Sequence, residues 1–144
     1  MSSADNAPRE CTIAASLQIL GERWTLLAVR EMIYSVNRFD QIAANTGAAR
    51  NILADRLRTL EVEGIVERRQ YSERPPRFEY HLTEAGLELA PVLLALRQWG
   101  DKWTDARSST TFEHACGHEL QVDYVCRACQ HTVTADSVQI TAAS

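Results

Sequence analysis

The fold of this chain is decided by the stretch RNILADRLRTLE at residues 50–61. Leu53, Leu57 and Leu60 recur at positions i, i+4 and i+7, which is the spacing of apolar side chains along one face of an α-helix. A helix with one apolar stripe must bury that stripe against a neighbouring element. The stretch therefore predicts an amphipathic helix whose leucines enter the core and whose opposite side is open.

The open side of this helix is polar and bears arginine. Asn51, Asp55 and Arg58 project from it, and Arg50 lies in the first turn. Arginine can donate two hydrogen bonds to guanine, asparagine can pair with adenine, and a carboxylate can accept a hydrogen bond from the cytosine amine. These side chains suit the major groove of DNA, although the same face also fits an ordinary surface helix.

The elements on either side of the stretch complete a winged helix-turn-helix. A short helix is predicted from Phe39 to a stop at Gly47, and the turn that follows joins it steeply to the next helix. After that helix, two runs rich in β-forming residues at 65–71 and 78–82 flank a proline-containing loop, which indicates a β-hairpin. A hairpin directly after a recognition helix is a wing.

The wing tip carries Arg74 and Arg77, which are placed to contact phosphates or to enter a minor groove. The formal net charge of the chain is -4, yet residues 48–77 contain seven arginines and five acidic residues. Nucleic-acid binding depends on the distribution of charge more than on its sum. The local basic surplus therefore lies where DNA binding requires it.

A long helix is predicted after the wing, from the N-cap Thr83 to about Asp105. Pro91 inside it should produce a kink unless the helix restarts there. Its apolar stripe extends beyond a compact helix-turn-helix and needs a partner. A second subunit is the economical partner, because two-fold symmetric dimers match palindromic half-sites; packing on its own domain is the alternative. The stripe consists of Leu89, Leu93, Leu96, Gly100 and Trp103.

Taken together, these features resemble the HxlR-type family of bacterial winged helix-turn-helix transcriptional regulators. The resemblance covers about residues 11–105 and rests on the order and spacing of motifs that are weak individually. The motifs are Cys11, Gly21-Glu22-Arg23-Trp24, Arg38-Phe39-Asp40-Gln41-Ile42, Asn51 to Leu57 with Leu60-Glu61, Gly64-Ile65-Val66, Arg74 to Tyr80, and Leu82 to Gly86 through Trp99.

The resemblance implies a homodimer that binds double-stranded operator DNA and represses or activates nearby genes. The first helix and the long helix after the wing would form the dimer interface. Carried over by residue, Arg50 and Asn51 would start the recognition helix. Arg38, Arg74 and Arg77 would hold the DNA backbone or the minor groove.

Cys11 is a candidate redox sensor. Thr12 is the predicted N-cap of a first helix that ends near Leu20, and a second helix is predicted at 24–34. The helix dipole favours the reactive thiolate of a cysteine at this end, and several members of the resembling family sense oxidants or electrophiles through a cysteine here. The alternative is a small half-buried residue at the dimer interface.

The tail is rich in potential metal ligands, with three of the four cysteines and three of the four histidines inside residues 114–131. Cys126 and Cys129 have the Cys-x2-Cys spacing of a zinc knuckle, and Cys116 with His118 offers a second pair for a tetrahedral site. These four residues are the predicted ligands of a structural zinc ion. Such an ion would stabilise a segment too small for a core of its own.

Other interpretations of the tail stay open. His114 or His131 could replace one of the four ligands, and the runs 122–125 and 132–140 are typical of short strands in a zinc-ribbon-like hairpin. A weaker site could sense metal, and the Cys-x2-Cys pair could form a disulfide. The three thiols could also lie without metal on a hairpin that packs against the main domain.

The whole chain fits one ordinary domain with a small appendix. Its 144 residues are 45% hydrophobic and 24% charged, which are globular values. We predict an α+β, mostly α protein with a flexible N-terminus (1–10), a winged helix-turn-helix domain with dimerisation helices (11–106) and a small β-rich tail (107–144). No apolar run approaches a membrane span and no signal peptide is evident, so a cytoplasmic protein is expected.

We predict a sequence-specific DNA-binding regulator and no enzyme, because paired carboxylates, a nucleophile elbow and a phosphate loop are all missing from the sequence. The rivals are a thiol redox protein using Cys126 and Cys129, and a winged helix that contacts only proteins. Neither explains arginines on both the recognition helix and the wing tip. The input signal stays open between an oxidant, a metal and a small aromatic ligand near Trp24, Trp99 and Trp103.

Overall fold

Four helices precede the hairpin in the computed structural model, which describes residues 7–141. The first of them differs slightly from expectation. Cys11, and not Thr12, is its N-cap, because the Cys11 sulfur accepts a hydrogen bond of 3.2 Å from the backbone N–H of Ala14. The helices are α1 (Thr12–Leu20), α2 (Arg23–Ile33), α3 (Phe39–Thr46) and α4 (Arg50–Val62).

The core forms where α4 packs against α2 and α3. Leu53, Leu57 and Leu60 are fully buried, which confirms the prediction from their spacing. They share one apolar cluster with Val29 of α2 and Ile42 of α3. Burial of a leucine contributes about 1.5–3 kcal/mol, so this stripe alone attaches α4 firmly to the domain.

A buried carboxylate joins α2 to α3. Glu31 is 4% exposed, and its two oxygens accept hydrogen bonds from Arg30 Nη2 at 2.8 Å and from Asn45 Nδ2 at 2.9 Å. Breaking a paired buried charge is costly because it leaves the remaining partner unsatisfied. Glu31 therefore helps to hold α3, the first helix of the helix-turn-helix, in one orientation on α2.

The predicted β-hairpin is confirmed and is longer than expected. Strand β1 (Val66–Glu73) pairs antiparallel with β2 (Pro76–Leu82), and the register shifts between Gln70 and Ser72. The bulge increases the local twist of the hairpin. Because the strands extend almost to the tip, the wing is a regular ribbon that carries its arginines at the far end.

The single helix predicted after the wing is instead two helices, α5 (Glu84–Leu87) and α6 (Ala90–Trp103). Thr83 caps α5 as predicted, with its hydroxyl oxygen accepting from the Gly86 N–H at 3.3 Å. The second helix restarts immediately before Pro91, because a proline in the first turn sacrifices no helical hydrogen bond. The helix expected to mediate dimerisation is thereby shortened to 14 residues.

The described residues up to Leu93 form one compact unit, and those from Leu94 onward form a second. The predicted domain limits at residues 10 and 106 stay predictions, and more than half of the predicted N-terminal segment lies outside the described residues. In the part of the chain that is described, no helix is both long enough and apolar enough to cross a membrane.

The strands predicted at 122–125 and 132–140 do not form. Thr134 and Ser137 instead close a short 3-10 turn, in which the Ser137 hydroxyl accepts from the Thr134 N–H at 2.9 Å. Such local bonds between side chain and backbone compete with strand pairing. From residue 107 to 141 the β-type pairing consists of two isolated bridges, Glu113 with Glu119 and Val125 with Thr132, and backbone hydrogen bonds beside each bridge close a turn.

Polar side chains of α6 hold the tail in the second unit. The Gln98 amide pairs with the backbone of Val122 in both directions, accepting from its N–H at 2.7 Å and donating to its carbonyl at 2.9 Å. The Arg97 guanidinium lies over the Phe112 ring, 4.2 Å from its centroid. Within its described residues the tail has few buried apolar side chains, so a hydrophobic core does little to hold it on α6. These polar and ring contacts supply part of what holds it there.

Candidate nucleic-acid interface

A tight turn joins α3 to α4. Gly47 ends α3 with a φ of 78°, a left-handed conformation that glycine adopts without strain. Ala48 is buried and Ala49 is the N-cap of α4, where no side chain bonds to the first turn. The geometry presents the start of α4, and therefore Arg50 and Asn51, at the outer edge of the helix-turn-helix.

The predicted base-reading face of α4 is open to solvent. The side chains of Arg50 and Arg58 are 67% and 71% exposed, and Asn51 is also exposed. Asp55 lies 3.7 Å from Arg58, so its carboxylate orients an arginine on the same face. The structure thus brings the four predicted α4 residues together on one accessible surface.

Two side chains of α3 hold Arg50, and neither contact was predicted from the sequence. Its Nη2 lies 2.7 Å from the Asp40 carboxylate, and its guanidinium lies 4.9 Å from the centroid of the Phe39 ring. Both partners are in the first turn of α3, ten and eleven residues earlier in the chain. No short-range spacing rule connects residues on two different helices, so no signal in the sequence pointed to this pair.

Arg38 connects the wing to the helix-turn-helix. It forms a β-bridge with Glu79 of β2, its Nε lies 3.5 Å from the Glu79 carboxylate, and its guanidinium stacks on Tyr71 at 4.3 Å. Nearby, the Tyr80 N–H donates to the carbonyl of Asn37 at 2.8 Å. A DNA contact by Arg38 stays a prediction; within the protein it anchors the base of the wing to the start of α3.

Glu79 is the shared acceptor of this anchor. Its second oxygen lies 2.9 Å from His81 Nε2. The hydrogen bond from His81, followed by that from Arg38, holds the pKa of Glu79 below its ordinary value of 4.5, against the opposing effect of desolvation. The ionised carboxylate is therefore the form that attaches β2 to the residues before α3.

We expect Glu79→Gln to flatten the acid dependence of folding stability. A carboxyl group whose pKa is lowered in the folded state contributes stability above its ordinary pKa of 4.5, and this contribution is lost as the pH falls through the lowered value. Urea unfolding from neutral pH to below 4.5 measures the effect. A variant whose stability falls with acid as steeply as that of the unchanged protein would show that the Glu79 anchor is unimportant.

The wing tip presents the two predicted arginines beside the helix-turn-helix. Arg74 and Arg77 are exposed, and within residues 7–141 neither forms an ion pair. Arg77 also lines a groove of about 390 Å³ between the start of α3 and the hairpin, together with Arg38 and Tyr71. Two cationic surfaces, one on α4 and one on the wing, therefore flank the same side of the first unit.

A family model described as HxlR-like helix-turn-helix matches residues 19–108 of the chain. The chain belongs to the HxlR-like helix-turn-helix family. Among its relatives, an uncharacterized HTH-type transcriptional regulator of Mycobacterium tuberculosis, Rv3095, is 38% identical over 88% of this chain and 82% of its own length. The Bacillus subtilis regulator YvaP is 36% identical over 73% of this chain and 95% of its own length.

Solved structures agree with this family assignment. PA1607, described as a candidate transcription factor, is 28% identical and superposes with a TM-score of 0.79 over 97% of this chain and 99% of its own. The oxidized form of the redox regulator HypR is 33% identical, with a TM-score of 0.60 over 67% of this chain and 100% of its own. This HxlR-like protein is a DNA-binding transcriptional regulator.

Cys11 of the HxlR-like chain is a free, exposed thiol at the N-terminus of α1. Its sulfur is the acceptor that caps the helix through the Ala14 N–H. The structure thus agrees with the predicted place of the thiol at a helix end, and a packing role at the dimer interface stays the alternative. Redox sensing by Cys11 stays a prediction.

The four predicted zinc ligands are not gathered in one place. Among residues 7–141, no three His, Cys, Asp or Glu side chains form a group that could hold a metal ion. Cys116 is exposed and lies in a separate turn from Cys126 and Cys129. Of the four predicted ligands, Cys126 and Cys129 form a pair in which the Cys129 side chain lowers the pKa of Cys126. Zinc binding in the tail stays a prediction.

The joined pair has a distinct electrostatic environment. The backbone N–H groups of Cys129 and Ala128, and then the Cys129 thiol, donate hydrogen bonds toward the Cys126 sulfur. These donors stabilise the thiolate and hold the pKa of Cys126 below its usual value.

Proposed function

We propose that this regulator recognises a palindromic operator as a homodimer, with α4 in the major groove and the wing tip on the backbone or in the minor groove. The observation that carries the proposal is the exposed α4 face with Arg50, Asn51 and Arg58, supported from behind by three fully buried leucines. A rigid helix with base-reading side chains on its open face is what direct readout requires. The unpaired arginines of the wing tip suit phosphate contacts.

Two apolar surfaces support the homodimer. None of the α1 side chains is fully buried in the single chain, and Ile13 and Leu17 are more than half exposed. Helix α6 also lacks fully buried residues, and it exposes Leu96, Trp99 and Trp103 to a similar extent. Exposed apolar side chains of this size mark interaction surfaces. A second copy of the chain is the partner that also matches a two-fold symmetric operator.

Selection from a random pool of DNA duplexes tests this function. We expect enrichment of an inverted repeat whose half-sites are centred about 10 base pairs, or a multiple of one helical turn, apart. Light scattering of the protein on the selected duplex should give two chains per operator. Enrichment of an unrepeated site, or one chain per duplex, would contradict the symmetric dimer while leaving the family assignment unaffected.

Asp40→Ala should increase affinity for DNA. The exposed Asp40 carboxylate holds Arg50 at 2.7 Å, so it both competes with DNA for the arginine and repels phosphate. An exposed pair of this kind contributes at most about 1 kcal/mol, which corresponds to an increase of up to about fivefold, largest at low salt. Titration of labelled operator by fluorescence anisotropy measures it, and Asp40→Asn serves as the matched variant without charge. Weaker binding by both variants would mean that Asp40 orients Arg50 for base contact.

Oxidant sensing through Cys11 is the form of regulation we favour. The thiol is exposed and its sulfur caps α1, the helix proposed for the dimer interface. Chemical modification of this sulfur would disturb the cap, which typically contributes about 1 kcal/mol, and could thereby alter the dimer. HypR, a relative by structure, is named a redox regulator. A small aromatic ligand near Trp24, Trp99 and Trp103 is the alternative signal.

A further inference from the structure

The turn around Cys126 and Cys129 is closed by the backbone. The Cys126 N–H donates to the His131 carbonyl at 3.0 Å, and the Gln130 N–H donates to the Cys126 carbonyl at 2.8 Å. The residues flanking the turn, Val125 and Thr132, form one of the isolated β-bridges. The two cysteines therefore lie on a closed loop with a defined conformation.

The Cys126 and Cys129 side chains lie on the same side of this turn, because the 2.8 Å bond from the Gln130 N–H to the Cys126 carbonyl winds residues 126–130 into a single turn. The Cys129 thiol is also one of the groups that lower the pKa of Cys126, and a disulfide can form where the two side chains are placed close together. Cys129 is exposed and Cys126 is half-buried, so a small reagent can reach the pair.

We propose that Cys126 and Cys129 form a vicinal dithiol that peroxides oxidise to an intramolecular disulfide. Both cysteines lie on one closed turn that a small reagent can reach, and this chemistry is independent of the proposed mode of DNA binding. The site is separate from Cys11, which lies in the other compact unit. Because no third His, Cys, Asp or Glu among residues 7–141 joins the pair, the donor set suits two-electron thiol chemistry better than a closed four-ligand zinc site.

The reaction is balanced with hydrogen peroxide as the oxidant. The Cys126 sulfur, after losing its proton, attacks one peroxide oxygen; an S–O bond forms, the O–O bond breaks, and the released hydroxide takes up the proton to give water. The Cys129 sulfur then attacks the Cys126 sulfur. The S–S bond forms, the S–O bond breaks, and the hydroxyl group leaves with the Cys129 proton as a second water. Two thiols lose two electrons and one peroxide gains them.

The sequence provides a direct readout of this disulfide. Arg127 is the only trypsin cleavage site between Arg107 and the C-terminus, so digestion separates Cys126 from Cys129. After peroxide treatment of the full chain and blocking of free thiols with N-ethylmaleimide, peptides 108–127 and 128–144 should be recovered as one linked species. Dithiothreitol should separate them.

Matched variants identify the linked sulfurs. Because Cys116 lies on the same peptide as Cys126, Cys116→Ser should retain the link, whereas Cys126→Ser and Cys129→Ser should abolish it. All are made in a Cys11→Ser background, and non-reducing electrophoresis of dilute protein should show single chains. Loss of the link in Cys116→Ser, links between chains, or oxidation of either sulfur to sulfinic acid without a link would overturn the proposal. So would elemental analysis showing about one zinc per chain with the tail thiols protected from both reagents.

Discussion

Replacing both Arg50 and Asn51 by alanine should remove the preference of this regulator for its operator and leave a salt-sensitive, non-specific affinity. Both side chains lie on the exposed face of α4, and the arginine is more than half exposed. A bidentate contact to a base contributes about 1–3 kcal/mol of discrimination. Loss of two such contacts lowers the ratio of operator to non-operator affinity by on the order of 100-fold or more. Anisotropy titrations with operator and scrambled duplexes at several salt concentrations measure this ratio.

The wing provides the matched comparison. Arg74→Ala with Arg77→Ala removes two exposed charges proposed to contact the backbone, so it should weaken binding to both duplexes similarly and reduce the salt dependence by about two phosphate contacts. The ratio of affinities should then stay near that of the unchanged protein. An α4 variant that keeps its operator preference, or a wing variant that loses it, would reverse the assigned roles of the two elements.

Leu57→Ala destabilises the helix-turn-helix by about 2–5 kcal/mol, because it leaves a cavity beneath the recognition helix. Leu57 is fully buried in the cluster that α4 shares with α2 and α3. Since domains of this kind are stable by only about 5–15 kcal/mol, the loss is a large part of the total. Urea unfolding at fixed protein concentration measures it, and the fixed concentration is needed because the proposed dimerisation would add to apparent stability.

Val62→Ala is the control for this measurement. Val62 lies at the end of the same helix but is 78% exposed, so its truncation should change stability by no more than about 0.5 kcal/mol. Similar losses for Leu57→Ala and Val62→Ala would indicate that helix propensity, and not burial of the leucine stripe, supports α4. Loss of operator binding by Leu57→Ala should follow its unfolding and not precede it.

Patterns that repeat along a single helix were predictable from the sequence. The leucine spacing identified α4 and its buried face, the glycine after α3 identified the turn, and Thr83 identified the start of α5. Each of these depends on residues within a few positions of one another, whose arrangement follows from helix geometry or from the conformational range of glycine. The hairpin was predictable for a similar reason, since two short runs of β-forming residues lie on either side of a loop that contains two prolines.

The tail shows where local patterns fail. Its β-forming residues at 132–140 predicted a strand, but bonds between Thr134 and Ser137 close a turn in the middle of this run. A strand needs a partner in register, and β propensity measures how well a residue fits such a surface more than a preference of the isolated backbone. Cysteine spacing likewise identified Cys126 with Cys129 as a pair but could not establish whether Cys116 or His118 lies near them.

The sequence by itself determined that this protein is a winged helix-turn-helix regulator, with arginine and asparagine on the exposed face of one helix and arginines on the wing tip. Only the tertiary structure decided the partners of those arginines. Asp40 holds Arg50, and Glu79 with Tyr71 holds Arg38 at the base of the wing. Helical periodicity and turn chemistry act between neighbours in the chain, whereas these ion pairs and ring contacts join residues ten to about forty positions apart. Such pairs exist only after packing of the core has set the distances between elements.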